Sequence, residues 1–308
     1  MIKPTDFKLI LALLGVAIVW GTTYLGIRVA VETIPAWFVT AIRQTIASLI
    51  LLVVLLRNNE LKWMNRAYMG RQLLVSVLMI VVANGMTTVA EQTIPSGLTS
   101  LLNASSPLIV FLGSVLAGVQ KLTLRGFVGV IIGFLGVAFI FRDGIHELLD
   151  PNYKTGILYL CFAIAGWSAG TIYTKKYTHK SANIFLDLFY QFVFSAIIQL
   201  CLAFIFSSDT DVATWSTHSL MAVVYLAVFG SVIGYFCYHY ALKKVSATKV
   251  SVLTYFNTVI ALFLGWLILD EIITVDIIIA TALIIFGVFI TNYRSQRNKV
   301  KEEKHLPV

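Results

Sequence analysis

Several polar and aromatic residues of this chain stand inside long apolar stretches, where such side chains need a partner or water, and they stand there at helical spacing. Trp20 and Tyr24 are four apart, as are Asn84 and Thr88, while Asn103 and Ser106 are three apart, so each pair shares one face of a helix. Arg43 and Gln44 form a fourth polar point. Each has a counterpart further along. A shift of 147 residues carries Trp20 and Tyr24 onto Trp167 and Thr171, and Arg43 and Gln44 onto Tyr190 and Gln191. A shift of 151 carries Asn84 and Thr88 onto Tyr235 and His239, and Asn103 and Ser106 onto Thr254 and Asn257, with Tyr255 between them. These side chains give hydrogen bonds, π faces and, at Arg43, a planar guanidinium fork suited to an anion. That is the chemistry of recognising a small molecule in a wet cavity, and Trp20, Tyr24, Arg43, Asn84, Thr88, Asn103, Trp167, Thr171, Tyr235, His239, Tyr255 and Asn257 are its candidate lining. The competing roles are hydrogen bonds between helices, about 0.6–2 kcal/mol each in a membrane, and an interfacial aromatic belt. Trp20 and Trp167 lie too deep in their apolar runs for a belt.

Catalysis, metals and cofactors find no support. Of five histidines, His146, His179, His218 and His305 fall in connections or the tail, and none is paired at metal-ligand spacing. Cys161, Cys201 and Cys237 sit within apolar runs without disulfide or metal spacing. No G-x-x-x-x-G-K-[ST] loop is present, so any transport draws on gradients. A proton-coupled mechanism usually places a carboxylate deep in the membrane. The acids here stand near helix ends: Asp187 near an inner end and Glu91 near an outer one. His239 is likewise near an inner end.

The elements that must position these residues are membrane helices. The 308 residues are 58% hydrophobic and 12% charged, against about 25% charged in soluble domains, and the mean hydropathy is +0.86. Apolar runs long enough to span cover residues 8–30, 36–56, 72–90, 96–118, 124–141, 156–175, 184–206, 219–240, 246–269 and 275–292. The expected fold is an all-α polytopic membrane protein of ten transmembrane helices. The first run is long, lacks a small-residue cleavage site, and is expected to remain as an anchor. Of the 23 Lys and Arg, all but Arg28, Arg43, Arg142 and Lys154 fall in segments on the side of the N-terminus, whereas the opposite loops hold acids such as Glu32, Glu91, Asp211, Asp270, Glu271 and Asp276. The bias puts both termini in the cytoplasm. It also explains the net charge of +8 without nucleic acid. The basic tail after residue 292 is expected to lie on anionic lipid heads.

Residues 90–141 align without a gap on residues 241–292, with identities at Ala90/Ala241, Ser100/Ser251, Leu102/Leu253, Ile109/Ile260, Leu116/Leu267, Thr123/Thr274, Gly136/Gly287 and Val137/Val288. Loop charges reverse between the copies: Glu91 faces Lys243 and Lys244, and Lys121 and Arg125 face Asp270, Glu271 and Asp276. Two five-helix repeats inserted upside down to each other show this pattern, which divides the chain into 1–150 and 151–308. Within the frame, Gly126, Gly129, Gly133 and Gly136 make a close-packing stripe, inside the subunit or in a homodimer. Pro107 is expected to kink the fourth helix, Thr123 and Thr274 read as N-caps, and Arg28 suits an i,i+4 pair with Glu32. Arg43, without an acid one turn away, needs Glu91, Glu32 or an anionic substrate.

Trp20-Gly21-Thr22-Thr23-Tyr24 resembles the WG-x-x-[FY] opening of EamA-type members of the drug/metabolite transporter superfamily. Pro35 and Arg43 look like that family's residues flanking the start of helix two. Residues 240–247 and 270–274 are similar to its second-repeat signature. The resemblance covers residues 8–292 and implies a central cavity between inverted repeats, with export or exchange of small metabolites such as amino acids by alternating access across the cytoplasmic membrane. Gln120, standing where the second repeat has Glu271, argues that Glu271 caps and orients the outer end of the ninth helix and does not couple transport. The expected partners are a small-molecule substrate and the lipid bilayer. The alternatives are a broad-specificity drug exporter and a non-transporting membrane sensor or assembly protein with a dry interior.

Overall fold

The computed structural model describes residues 4–118, 121–140, 151–177, 183–207, 210–245, 247–251 and 254–292. The boundary expected between the halves, Gln120 and the basic tail lie outside them. The described residues are helical, without a strand. Among the described residues, seven helices are long and apolar enough to cross a membrane. They are α1 (Pro4–Ala30), α2 (Ala36–Arg57), α3 (Arg66–Ala90), α4 (Ser96–Leu116), α6 (Pro151–Tyr177), α7 (Ile184–Phe206) and α8 (Thr217–Lys244). Three shorter apolar helices among the described residues pack with them: α5 (Leu124–Ile140), α9 (Thr254–Leu269) and α10 (Val275–Asn292). Large apolar side chains face outward throughout, among them Phe7, Leu49, Phe204, Phe263 and Phe286. An exterior of this kind is stable against lipid, not water, and the chain is a multi-pass membrane protein.

Packing runs across the halves. α1 lies against α8 and α9, and α6 lies correspondingly against α3 and α4; α2 pairs with α7, and α5 with α10. The glycine stripe of α5 is used inside the subunit. A Cβ on Gly287 of α10 would stand 2.5 Å from the Gly133 nitrogen and 2.6 Å from the Gly129 carbonyl, so the two backbones meet there with no room for a side chain.

Local chemistry fixes the helix ends. Thr123 accepts from the Gly126 N–H at 3.1 Å and Thr274 from the Ile277 N–H at 3.3 Å, as N-caps do. α4 breaks at Ala104 and Ser105, between Ser96–Asn103 and Ser106–Leu116. Pro107 has no N–H to give the Asn103 carbonyl four residues back; the Ser106 hydroxyl takes that carbonyl at 2.5 Å. α4 also begins after Pro95, which has no side-chain cap to offer. The Glu271 carboxylate supplies one from across the bundle. Its Oε1 accepts from the Ser96 N–H and hydroxyl, both at 2.7 Å, and its Oε2 from the Gly97 N–H at 2.9 Å. Sequence reading had Glu271 capping the end of α9. Its backbone N–H does close α9 on the Gly265 carbonyl at 3.1 Å, but its side chain serves α4, because free N–H groups attract a carboxylate and free carbonyls do not.

α3 and α8 each contain a π-helical stretch, Ser76–Gly85 and Leu226–Ile233. The two fall at nearly the same place in their halves, and both adjoin the site.

Candidate functional site

A cavity lies between the halves. α1 contributes Trp20, Thr23 and Tyr24; α2 gives Arg43; α3 gives Met79, Asn84 and Thr87; α4 gives Asn103 and Ser106. The second half contributes Trp167 from α6, Tyr235 and Tyr238 from α8, and Ser251, Thr254 and Asn257 from α9 and the turn before it. The cavity measures about 100 Å³, less than the ~150 Å³ that holds a benzene ring in an engineered protein core. In this arrangement it has room for a small, compact molecule.

One wall is aromatic. Trp20 meets Trp167 and Tyr235 edge-on, at 5.1 and 5.5 Å between ring centroids; Tyr238 lies tilted against both indoles, 5.1 Å from Trp20 and 5.0 Å from Trp167. The edge-on contacts suit the ring quadrupoles. The Trp20 indole N–H donates to the Gly230 carbonyl at 3.0 Å, and the Tyr235 hydroxyl to the Met79 carbonyl at 3.0 Å. Both acceptors belong to the π-helical stretches.

Arg43, the charged residue of the lining, is only 1% exposed. Its Nε donates to the Ser231 hydroxyl at 2.8 Å and its Nη1 to the Asn84 side-chain Oδ1 at 3.4 Å. It makes no ion pair among the described residues, so neither Glu32 nor Glu91 is the partner expected of it. Arg28 also departs from expectation. Its guanidinium donates to the Glu91 backbone carbonyl, while Glu32 stands exposed, because the turn after α3 brings a free carbonyl within reach.

Eight sequence candidates thus share the cavity: Trp20, Tyr24, Arg43, Asn84, Asn103, Trp167, Tyr235 and Asn257. Four stand apart from it. The Thr88 hydroxyl donates to the Asn84 carbonyl on its own helix at 2.9 Å, and Thr171 bonds the Tyr238 hydroxyl at 2.6 Å behind the aromatic wall. Tyr255 packs with Leu101, Leu108 and Phe111. His239 belongs to a separate polar pocket with Tyr68, Gln72, Asp187 and Gln191. There the Asp187 carboxylate accepts from the Tyr68 hydroxyl at 2.6 Å and the Gln72 amide at 3.0 Å.

Tyr238 takes the wall position that sequence reading gave to His239. Residues three and four beyond Tyr235 flank the same helix face, and only the docking of Trp20 selects between them. Sequence reading also passed over two glycines. A Cβ on Gly230 would lie 2.8 Å from the Arg43 Nη2, and one on Gly234 would lie 2.3 Å from the Trp20 Nε1. Their i,i+4 spacing seats both side chains against bare backbone of α8, and that spacing was the signal available.

Comparison with known proteins agrees with this architecture. The EamA-like transporter family matches residues 7–142 and 154–293. "Uncharacterized inner membrane transporter YedA" of Escherichia coli (strain K12) is 32% identical over 256 residues, 82% of this chain and 80% of its own. "Uncharacterized transporter YoaV" of Bacillus subtilis (strain 168) is 25% identical over 293 residues, 95% of this chain and 99% of its own. A solved crystal structure superposes with a TM-score of 0.69 at 16% identity, covering 95% of this chain and 98% of that one, a likeness of fold.

Proposed function

The chain belongs to the EamA-like transporter family, and from that premise we propose that it is a secondary transporter of small metabolites, amino acids or related compounds. It works by alternating access in the cytoplasmic membrane, as an exporter or exchanger. The observation that carries this reading is the cavity lined by residues of both halves. A substrate held there touches the two bodies that must rock against each other, and its release on either side needs only a change in their angle. The ten helices form two inverted five-helix repeats with both termini cytoplasmic. The reciprocal pairing of α1 with α8 and α9, and of α6 with α3 and α4, supports that symmetry, as does the charge reversal of the loops.

The cavity's size favours a compact metabolite over a bulky drug. Its equipment — an aromatic wall, three asparagines and one buried guanidinium — suits a molecule with a flat or apolar part and an acidic group. Uptake into proteoliposomes of amino acids, nucleobases, organic acids and cationic dyes tests the reading. Saturable exchange of at least one small metabolite is the expected result. Movement of the dyes alone would make the chain a drug exporter, and no movement would support the sensor or assembly reading.

A further inference from the structure

Glu91 is the first residue past the end of α3. It is 0% exposed, and neither of its carboxylate oxygens has a hydrogen-bond partner among the described residues. Other acids at buried helix ends are satisfied: Glu271 by Ser96 and Gly97, and Asp187 by Tyr68 and Gln72. Arg28, the nearest suitable partner, spends its guanidinium on the Glu91 backbone carbonyl and leaves the side chain alone. An ionised carboxylate buried without a hydrogen bond is strongly disfavoured, and the usual relief is a proton.

We propose that Glu91 is a proton-binding site of the transport cycle, protonated while the outer helix ends are drawn together, as here, and giving its proton to water when they part. The proposal rests on the transporter reading for its cycle, though not for the proton itself. The charged and titratable groups around Glu91 are consistent with it. α1 contributes Arg28 and Tyr24, α2 Arg43, and the turn after α9 Glu271. α6, packed beside this end of α3, carries Tyr153 and the exposed Lys154 in its first turn. Burial first, and then the Glu271 carboxylate, hold the Glu91 carboxyl well above the usual carboxylate range, against the pull of Arg28 and Arg43. Tyr24 and Arg43 also line the cavity, so what occupies the cavity and whether Glu91 is protonated influence each other through the same field. Parting of the outer ends hydrates Glu91, and a small turn of Arg28 then meets the carboxylate that forms.

Two measurements test this, and neither needs a known substrate. Infrared difference spectra of the purified protein in lipid, taken across pH, report the carbonyl stretch of protonated carboxylic acids. A protonated band at neutral pH is expected in wild type, lost in Glu91→Gln and retained in Glu271→Gln. If Glu91→Gln does not accumulate, Glu91→Asp shifts the band instead. A wild-type spectrum without a band that responds to either Glu91 variant overturns the proposal. The second measurement is labelling of Asn103→Cys, in a background lacking Cys161, Cys201 and Cys237, by a membrane-impermeant thiol reagent from outside. The thiol's own titration is common to every variant at a given pH. The ratio of labelling rates, wild-type Glu91 over Glu91→Gln, is expected to rise with external pH as the outer ends open. A flat ratio overturns the link to opening even where the infrared band is present. Failure of the transporter reading would appear separately, as no uptake of any compound with the infrared band intact.

Discussion

At the residue scale, Arg43 and Glu91 form an unequal pair: a buried cation held by neutral oxygens and a buried acid with no hydrogen-bond partner among the described residues. Arg43 offers its planar fork to the cavity while Ser231 and Asn84 orient it. Lysine keeps the charge without the fork. Arg43→Lys is therefore expected to leave membrane abundance unchanged and to slow transport of carboxylate-bearing compounds by at least about tenfold, which corresponds to about 1.4 kcal/mol. A neutral compound should be affected far less. Equal losses on both would assign Arg43 to the fold. For Glu91 the linkage has a definite sign. Its carboxyl is raised in the folded protein, so the folded state binds the proton more tightly than the unfolded chain. The stability this gives is complete below the ordinary carboxyl value of 4.5 and is lost as pH rises above it through the raised folded value. The thermal midpoint of wild type, measured against Glu91→Gln, should fall over that window; a constant difference would mean that Glu91 does not titrate on folding. Trp20, Arg43 and Asn103 were legible in the sequence because such residues are costly in apolar segments. Thr88 misled because a threonine in a helix can satisfy itself on its own backbone, and the isolation of Glu91 was invisible because helix packing, not distance from a loop, buries it.

At the element scale, helix ends and close approaches do the positioning. Glu271 completes the N-terminus of α4 with three hydrogen bonds, two of them from backbone N–H groups. Its replacement by alanine leaves those groups bare and should cost about 1–2 kcal/mol, read as a lower thermal midpoint with the exchange reaction retained. Abolished exchange at unchanged stability would give Glu271 the coupling role that its capping geometry argues against. Gly234 is the bare seat of the Trp20 indole. Gly234→Ala should push Trp20 out of the aromatic wall and reduce transport per molecule, whereas Gly70, with open space around it, should tolerate alanine. Equal behaviour of the two variants would mean that the wall absorbs the methyl group. The helices themselves were legible from apolar length. The break in α4 was announced by Pro107, whereas the π-helical stretches, whose carbonyls accept from Trp20 and Tyr235, had no signal in the sequence.

At the scale of the whole molecule, the proposed transporter is two bodies around one cavity. The similarity and the charge reversal that motivate this can be read in residues 90–141 and 241–292; which helices pack together cannot, because pairing depends on steric detail such as the contact of Gly287 with Gly133. A reporter fused after Val308 should be active only in the cytoplasm, and a signal from the opposite side would remove the inverted arrangement. The proposed transporter holds its cargo in this cavity. The labelling rate of Asn103→Cys, in the cysteine-free background, with and without a compound that the protein transports, reads that occupancy. The thiol is expected to react, and the compound to slow the reaction at concentrations that half-saturate transport by the same variant. A thiol that never reacts, or that reacts at the same rate with saturating compound present, would contradict it.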